Sequence, residues 1–321
     1  MKFRTEISIA PWSEKLEYTD SIVCLGSCFA SNIAAKLKES KFNVVDNPVG
    51  ILFNPASIAK SVGLMTLQAT ITEQDIFDRN GRYVSFMFHS SLSGATPTEA
   101  ISVMQDAITT GGKALKNAKI IIVTLGSAYV WRDRCGEVVA NCHQVGAKNF
   151  TTELLSLEQI IHSLEEIVNL TSAKILFTVS PVRHLNDGLE GNSLSKALLR
   201  VAISKIVDKY PERASYFPSY EIVMDDLRDY RFYDTDMLHP SAQAVEYIAE
   251  KFFEAALSER SKEQRSKVLE IMRARHHRPL NPASEAYKAF CQQQLNAIAE
   301  LQEVDFSEEK SYFEQMLQIN L

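Results

Sequence analysis

Ser27 stands where an apolar run meets a helical one. Ser21-Ile22-Val23-Cys24-Leu25 reads as a strand, Gly26-Ser27 breaks it, and Phe29, Ile33 and Leu37 then recur every four residues. Such a joint can hold a serine nucleophile at the positive end of a helix. A serine hydroxyl is weakly nucleophilic near neutral pH, so it needs a neutral imidazole to take its proton and a carboxylate to orient that imidazole. Asp236-Met237-Leu238-His239 supplies both groups three residues apart, just before Pro240-Ser241. The competing readings are a plain helix cap for Ser27 and a helix-starting turn for Asp236 and His239.

Two rival nucleophiles lie close to hand. Cys28 follows Ser27 at the helix start, but adjacent side chains point apart, which favours Ser27. Ser127 follows a second Leu-Gly-Ser joint and reads as a pocket residue. The five cysteines, Cys24, Cys28, Cys135, Cys142 and Cys291, show no paired ligand spacing, and His276-His277 has no carboxylate or thiol at ligand distance in sequence. No metal and no other cofactor is expected.

The elements that must position these groups alternate. Short runs that are apolar on both faces, Ser21–Leu25, Phe42–Val45, Lys119–Leu125, Lys174–Val179 and Tyr220–Met224, are separated by helical patterns such as Leu157, Ile160, Leu164 and Ile167. This predicts an α/β fold with a three-layer, doubly wound parallel sheet of about five strands, its ligand site beyond the carboxyl ends of the strands. The long stretch between the second and third strands, with a β-like run at Arg82–His89, reads as an inserted flap, and Tyr129–Val145 as an inserted hairpin turning near Cys135-Gly136. Beyond the break at His276–Pro282, Cys291, Leu295, Ile298 and Leu301 mark an amphipathic helix. The expected division is a main domain over 1–258 and a C-terminal helical extension over 259–321.

Composition narrows the partners. The net charge of −6, with both signs interspersed, lacks the basic stripe that nucleic acid requires, and the 45% apolar fraction is ordinary for a globular chain. Neither a signal-type apolar run near the start nor a membrane-length run later is present, so the expectation is a cytoplasmic protein with no membrane partner. Its oligomeric state is not legible.

Leu25-Gly26-Ser27-Cys28-Phe29-Ala30-Ser31 and Asp236-x-x-His239 together resemble the SGNH hydrolase superfamily, and within it the GSCFA family, whose name is the run Gly26–Ala30. The likeness extends to Asn47–Pro55, Phe88-His89-Ser90, Thr124–Trp131, Thr178–Val182 and Tyr216–Glu221, covering about residues 1–255. The resemblance implies Ser27 as nucleophile, His239 as base, Asp236 as orienting acid, and the N–H groups of Ser27 and Gly50 as oxyanion donors. It also implies a small-molecule or glycan ester as substrate, with an O-acyl group removed or transferred. Where the superfamily places an asparagine two residues after Gly126, this chain has Ala128. Asn54 is the first candidate to replace that donor, followed by His89, His143 and Ser127. With no third donor identified in the sequence, a non-catalytic carbohydrate-binding or scaffold protein stays open as the alternative, and the triad alone is also compatible with phosphodiester or thioester hydrolysis.

Overall fold

The computed structural model describes residues 4–12 and 14–319. The chain begins its regular structure with β1 (Ser21–Gly26), α1 (Cys28–Glu39), β2 (Asn43–Asp46) and α2 (Pro55–Thr66). A hairpin of β3 (Phe77–Arg79) and β4 (Arg82–Val84) precedes α3 (Pro97–Asn117) and β5 (Ile120–Leu125). A second small sheet holds β6 (Tyr129–Arg132), β7 (Val138–Val139) and β8 (Thr151–Leu154), followed by α4 (Leu157–Leu170), β9 (Lys174–Val179), α5 (Gly188–Lys209) and β10 (Ala214–Phe217). A short α6 (Ser219–Glu221) runs into a π-helical turn over Ile222–Asp226, and α7 (Ala242–Ala256), α8 (Glu259–His276), α9 (Glu285–Glu300) and α10 (Ser307–Leu317) complete the chain.

The central sheet has five parallel strands in the order β10-β9-β5-β1-β2. Counted along the sheet's own strands this is the 2-1-3-4-5 order, which reverses direction between β1 and β5. That reversal opens a crevice at the strands' carboxyl ends, where doubly wound sheets bind ligands. Every second residue of three neighbouring strands, Val23, Leu25, Ile121, Val123, Leu125, Ile175, Phe177 and Val179, shares one core with buried residues of α2, α3, α4 and α5. The alternate residues Ile22, Cys24, Ile120, Ile122 and Leu176 are buried as well, so both faces are covered and the architecture is three layers, α/β/α.

Two expectations need correction. Tyr220–Met224 is helical, not the fifth strand; that strand is β10, whose burial alternates less clearly. A five-residue apolar run suits a buried helix as well as a strand, and here Ser219 settles it: its Oγ donates to the Val179 carbonyl and lies 2.6 Å from Thr178 Oγ1, fastening a helix start to the end of β9. The supposed flap between the second and third strands is mainly α2 and α3, each with an N-cap side chain and a first-turn proline, with only β3 and β4 as a hairpin. The hairpin near Cys135-Gly136 is present as β6 and β7, closed by Asp133 Oδ1, which accepts from the N–H groups of Cys135 and Glu137.

The chain forms two compact units. The first comprises Met1–Ile9, Ser21–Ala34 and Val44–Ala249 and holds every residue discussed as a site. The second gathers Ala10–Asp20 and Ala35–Asn43 with Glu250–Leu321, so it takes in stretches of chain well before the C-terminal helices. In it, Tyr18 stacks on Phe42 at 4.2 Å, the Arg265 guanidinium lies 3.8 Å from the centre of the Phe253 ring, and Lys41 pairs with the buried Glu309 at 2.7 Å.

β1 ends on Gly26 with φ of 126°, and a Cβ there would lie 2.1 Å from the Thr124 carbonyl oxygen of β5. Backbone angle and contact both exclude a side chain. Gly26→Ala should therefore cost about 2 kcal/mol or more, read as a lower urea midpoint at unchanged m-value. A variant as stable as the parent would show that this strand end relaxes freely.

Candidate active site

Asn47 fixes the turn that presents Ser27. Its Oδ1 accepts the Gly26 N–H at 2.8 Å, its own N–H reaches the Cys24 carbonyl at 2.8 Å, and its Nδ2 donates to Ser31 Oγ and Asp46 Oδ1. The residue adopts φ of 40°, a left-handed conformation that asparagine tolerates better than most. Ser27 follows, 1% exposed, and its Oγ is buried without a hydrogen-bond partner. A helix-capping serine would accept a first-turn N–H through Oγ; here Ala30 N–H goes to the Ser27 backbone carbonyl instead. The neighbouring Thr124 Oγ1 is also buried and unpartnered.

The loop from Asp234 to Pro240 builds an acid–imidazole pair. Met237, at φ of 59°, reverses the chain, and Asp236 Oδ1 accepts the N–H groups of Leu238 and His239 at 2.8 and 2.9 Å. The second oxygen, Oδ2, takes the His239 Nδ1–H at 2.6 Å. These backbone and side-chain bonds to His239 hold the Asp236 carboxyl down at about 2. A carboxylate accepts only, so Nδ1 carries a proton, and in the neutral ring the lone pair is on Nε2. The His239 side chain is 46% exposed, and no hydrogen bond joins it to Ser27 Oγ.

Beside this pair lies a cavity of about 490 Å³. Asn54, His89 and Ser127, among the expected residues, line it, together with Leu238 next to His239 and the aromatic rings of Phe53, Tyr129 and Trp131. Asn54 caps α2, its Oδ1 accepting Ser57 N–H at 2.8 Å, which leaves Nδ2 as its donor toward a ligand. His89 Nδ1 accepts Ser91 N–H, placing the ring proton on Nε2. Ser127 Oγ accepts Tyr129 N–H. A roomier depression of about 600 Å³ at the ends of α2, α3 and α4 has no His, Asp, Glu or Cys in its lining and offers no comparable chemistry.

Other expected residues act as framework. Ser27 N–H is already donated to the Thr124 carbonyl at 3.1 Å and Gly50 N–H to the Asn47 carbonyl at 2.7 Å, so in this conformation neither is a free oxyanion donor. Gly50 instead lets His89 approach, since a Cβ there would sit 2.2 Å from His89 Cβ. The N–H groups of Gly126 and Ser127 both go to the Phe53 carbonyl. His143 is buried and does not line the cavity; its Nε2–H donates to the Ser85 carbonyl at 2.7 Å, clamping the segment after β4.

Two basic residues escaped the sequence reading. Lys196 is 1% exposed and its Nζ donates to the carbonyls of Gly126 and Ser180, each at 2.7 Å. His184 lines the cavity and meets the same Gly126 carbonyl through Nε2 at 2.8 Å. A signal existed for each. His184 ends the run Pro181–His184 just past a buried strand, and Lys196 falls on the helical stripe that continues with Leu199 and Ile203.

The family model described as GSCFA family matches residues 21–252. A second, described as GSCFA domain protein, C-terminal domain, matches residues 268–319. No curated protein matches the chain.

Cys28 bears on the choice of nucleophile. Burial pushes its thiol up, against the opposing pull of the Phe29 and Cys28 N–H groups and the Lys196 charge, with the Asp236 carboxylate raising it further. A raised thiol holds less thiolate near neutrality and gains it as pH rises. Iodoacetamide at pH 7.5 should therefore modify the exposed Cys135 well before Cys28, with Cys28 catching up at higher pH. Peptide mapping that found Cys28 modified first at pH 7.5 would revive the thiol as a nucleophile.

Proposed function

From the premise that the chain belongs to the GSCFA family, we propose that it is a serine esterase or acyltransferase of SGNH type, acting without a metal on an O-acyl, and in particular O-acetyl, ester of a carbohydrate or other small alcohol. The observation that carries this reading is the Ser27 hydroxyl. A buried, unpartnered polar atom costs about 1–3 kcal/mol, and Ser27 Oγ carries no structural bond in return. Such a group fits a reactive atom held ready for a bond that forms only with substrate.

In the proposed reaction Ser27 Oγ attacks the ester carbonyl carbon and its proton passes to His239 Nε2. The imidazolium is stabilised by Asp236, which already binds the opposite ring nitrogen. Collapse of the tetrahedral intermediate breaks the ester C–O bond, and the departing alcohol takes the proton from His239. Water or an acceptor hydroxyl then attacks the acyl-serine, with His239 again accepting and returning the proton. Ser27 must turn toward His239 for the first step, and hydrogen bonds of this kind often tighten only once substrate is bound. Asn54 Nδ2 is the proposed side-chain donor to the intermediate's oxyanion, in place of the asparagine absent at Ala128.

Asn54→Asp tests that donor without disturbing the cap, because Asp keeps the acceptor for Ser57 N–H and removes the Nδ2 protons. Turnover of an aryl acetate should fall by roughly a hundredfold at near-constant melting temperature. Unchanged turnover would return Asn54 to a purely capping role. His239→Ala and Asp236→Asn should each cut turnover by orders of magnitude, and exhaustive chelation should leave it intact. Full turnover in His239→Ala, or loss on chelation restored by one divalent ion, would contradict the mechanism. Measurable glycan binding with no turnover would favour the non-catalytic reading, for which the open Ser27–His239 link is the supporting observation.

A further inference from the structure

The first half of α5 presents three buried polar side chains on one face. Asn192, Ser195 and Lys196 are 6%, 1% and 1% exposed and follow the spacing that stacks residues along a helix. Each reaches the carboxyl edge of the sheet. Asn192 Oδ1 accepts His184 N–H at 3.0 Å, Ser195 Oγ accepts Ala128 N–H at 2.7 Å, and Lys196 Nζ bridges the carbonyls of Gly126 and Ser180. No carboxylate pairs with Lys196 among the described residues; the two carbonyl dipoles answer its charge. A fold that buries an ammonium on those terms gives up stability that a leucine would supply.

The Gly126 carbonyl receives a second donor, His184 Nε2. Since a carbonyl only accepts, the ring proton lies on Nε2 and Nδ1 keeps a lone pair unless a second proton arrives. That proton would set an imidazolium beside an ammonium on the same oxygen. Burial opposes it first, the Lys196 charge next and His239 last, with only the Gly126 carbonyl working the other way; the ring is pulled down to about 4. Burial also lowers Lys196, to about 7, so it is an ammonium throughout the acid range in which an imidazole would otherwise charge. The ring itself lines the cavity, edge to face with Phe53 at 6.4 Å.

We propose that Lys196 is a positioning residue that keeps His184 a neutral acceptor, and that His184 Nδ1 receives a hydroxyl of the ligand in the cavity. The ligand class is an alcohol or polyol, the non-acyl side of the ester. The kinetic part of this inference rests on the acyl-transfer reading; the recognition part does not.

Nitrogen-15 NMR of the full chain tests it without turnover. In the parent protein His184 should show the Nε2–H tautomer and titrate well below the ordinary value of about 6.5, and Lys196→Met should raise that titration by about a unit or more while Lys196→Arg does not. Glycerol should shift the His184 Nδ1 resonance, and its trimethyl ether, which has no hydroxyl to donate, should not. An ordinary titration in the parent protein, an unmoved one in folded Lys196→Met, or equal responses to the two probes would overturn the proposal; the parent titration and the probe pair decide it even if Lys196→Met does not fold. In an ester assay, KM of Lys196→Met should rise about fourfold between pH 8 and pH 4.5, as a His184 ring raised by about a unit takes up its proton, while the parent's rises by less than about one and a half times. If Ser27→Ala abolishes turnover but that KM shows no pH dependence, this inference fails and the acyl-transfer reading stands. If turnover does not need Ser27, the acyl-transfer reading fails and the NMR still decides.

Discussion

The close approach of Gly26 to the Thr124 carbonyl is the constraint on which the site depends. Because β1 and β5 are hydrogen-bonded neighbours, the chain can leave β1 only by turning above β5, and the turn passes within reach of the Thr124 oxygen. Glycine alone fits. The Asn47 side chain then ties the Gly26 N–H to the end of β2, so a residue on the next strand sets the angle at which Ser27 enters α1. The placement of Ser27 is thus a property of three strands, and the local Gly-Ser pair is only its visible part.

The same edge of the sheet concentrates polar groups where an α/β core is usually apolar. Phe53 O, Gly126 O and Ser180 O are each claimed by donors from other elements: the Gly126 and Ser127 N–H groups, the His184 ring and the Lys196 ammonium. Carbonyls just past the strand ends have no further strand to pair with, and Lys196 of α5 fills that need at Gly126 and Ser180, with His184 joining it at Gly126. The result is a rigid rim around the cavity whose hydrogen bonds are nearly all spent on itself. Against that background the hydroxyls of Ser27 and the neighbouring Thr124 are buried without a partner, and His239 engages Asp236 through Nδ1.

Legibility in the sequence followed how local each cause is. The strands at Ser21, Lys119 and Lys174 were readable because burial on both faces leaves an unbroken apolar run, and the Asp236–His239 pair because one tight loop makes all of its bonds. The fifth strand was misplaced because β10, at the sheet's edge, carries Ser215 and Tyr216, whereas the more apolar Tyr220–Met224 is helical. His143 looked like a site residue from its neighbourhood in sequence, yet its ring is consumed by the Ser85 carbonyl, a partner 58 positions away. Lys196 and His184 were missed for the mirror-image reason. Their meaning lies in one shared carbonyl, Gly126, that is 70 and 58 residues distant.

Activation of the Ser27 hydroxyl is what separates a serine hydrolase from a protein that only shares its fold. A fluorophosphonate probe measures this directly, because it reacts with an activated serine whatever the natural ester. Intact mass and peptide mapping should place one adduct on Ser27, with none after Ser27→Ala in a protein of unchanged circular dichroism and markedly slower labelling after His239→Ala. An adduct on Ser127 or Cys28, or a folded protein that takes up no probe at all, would contradict it.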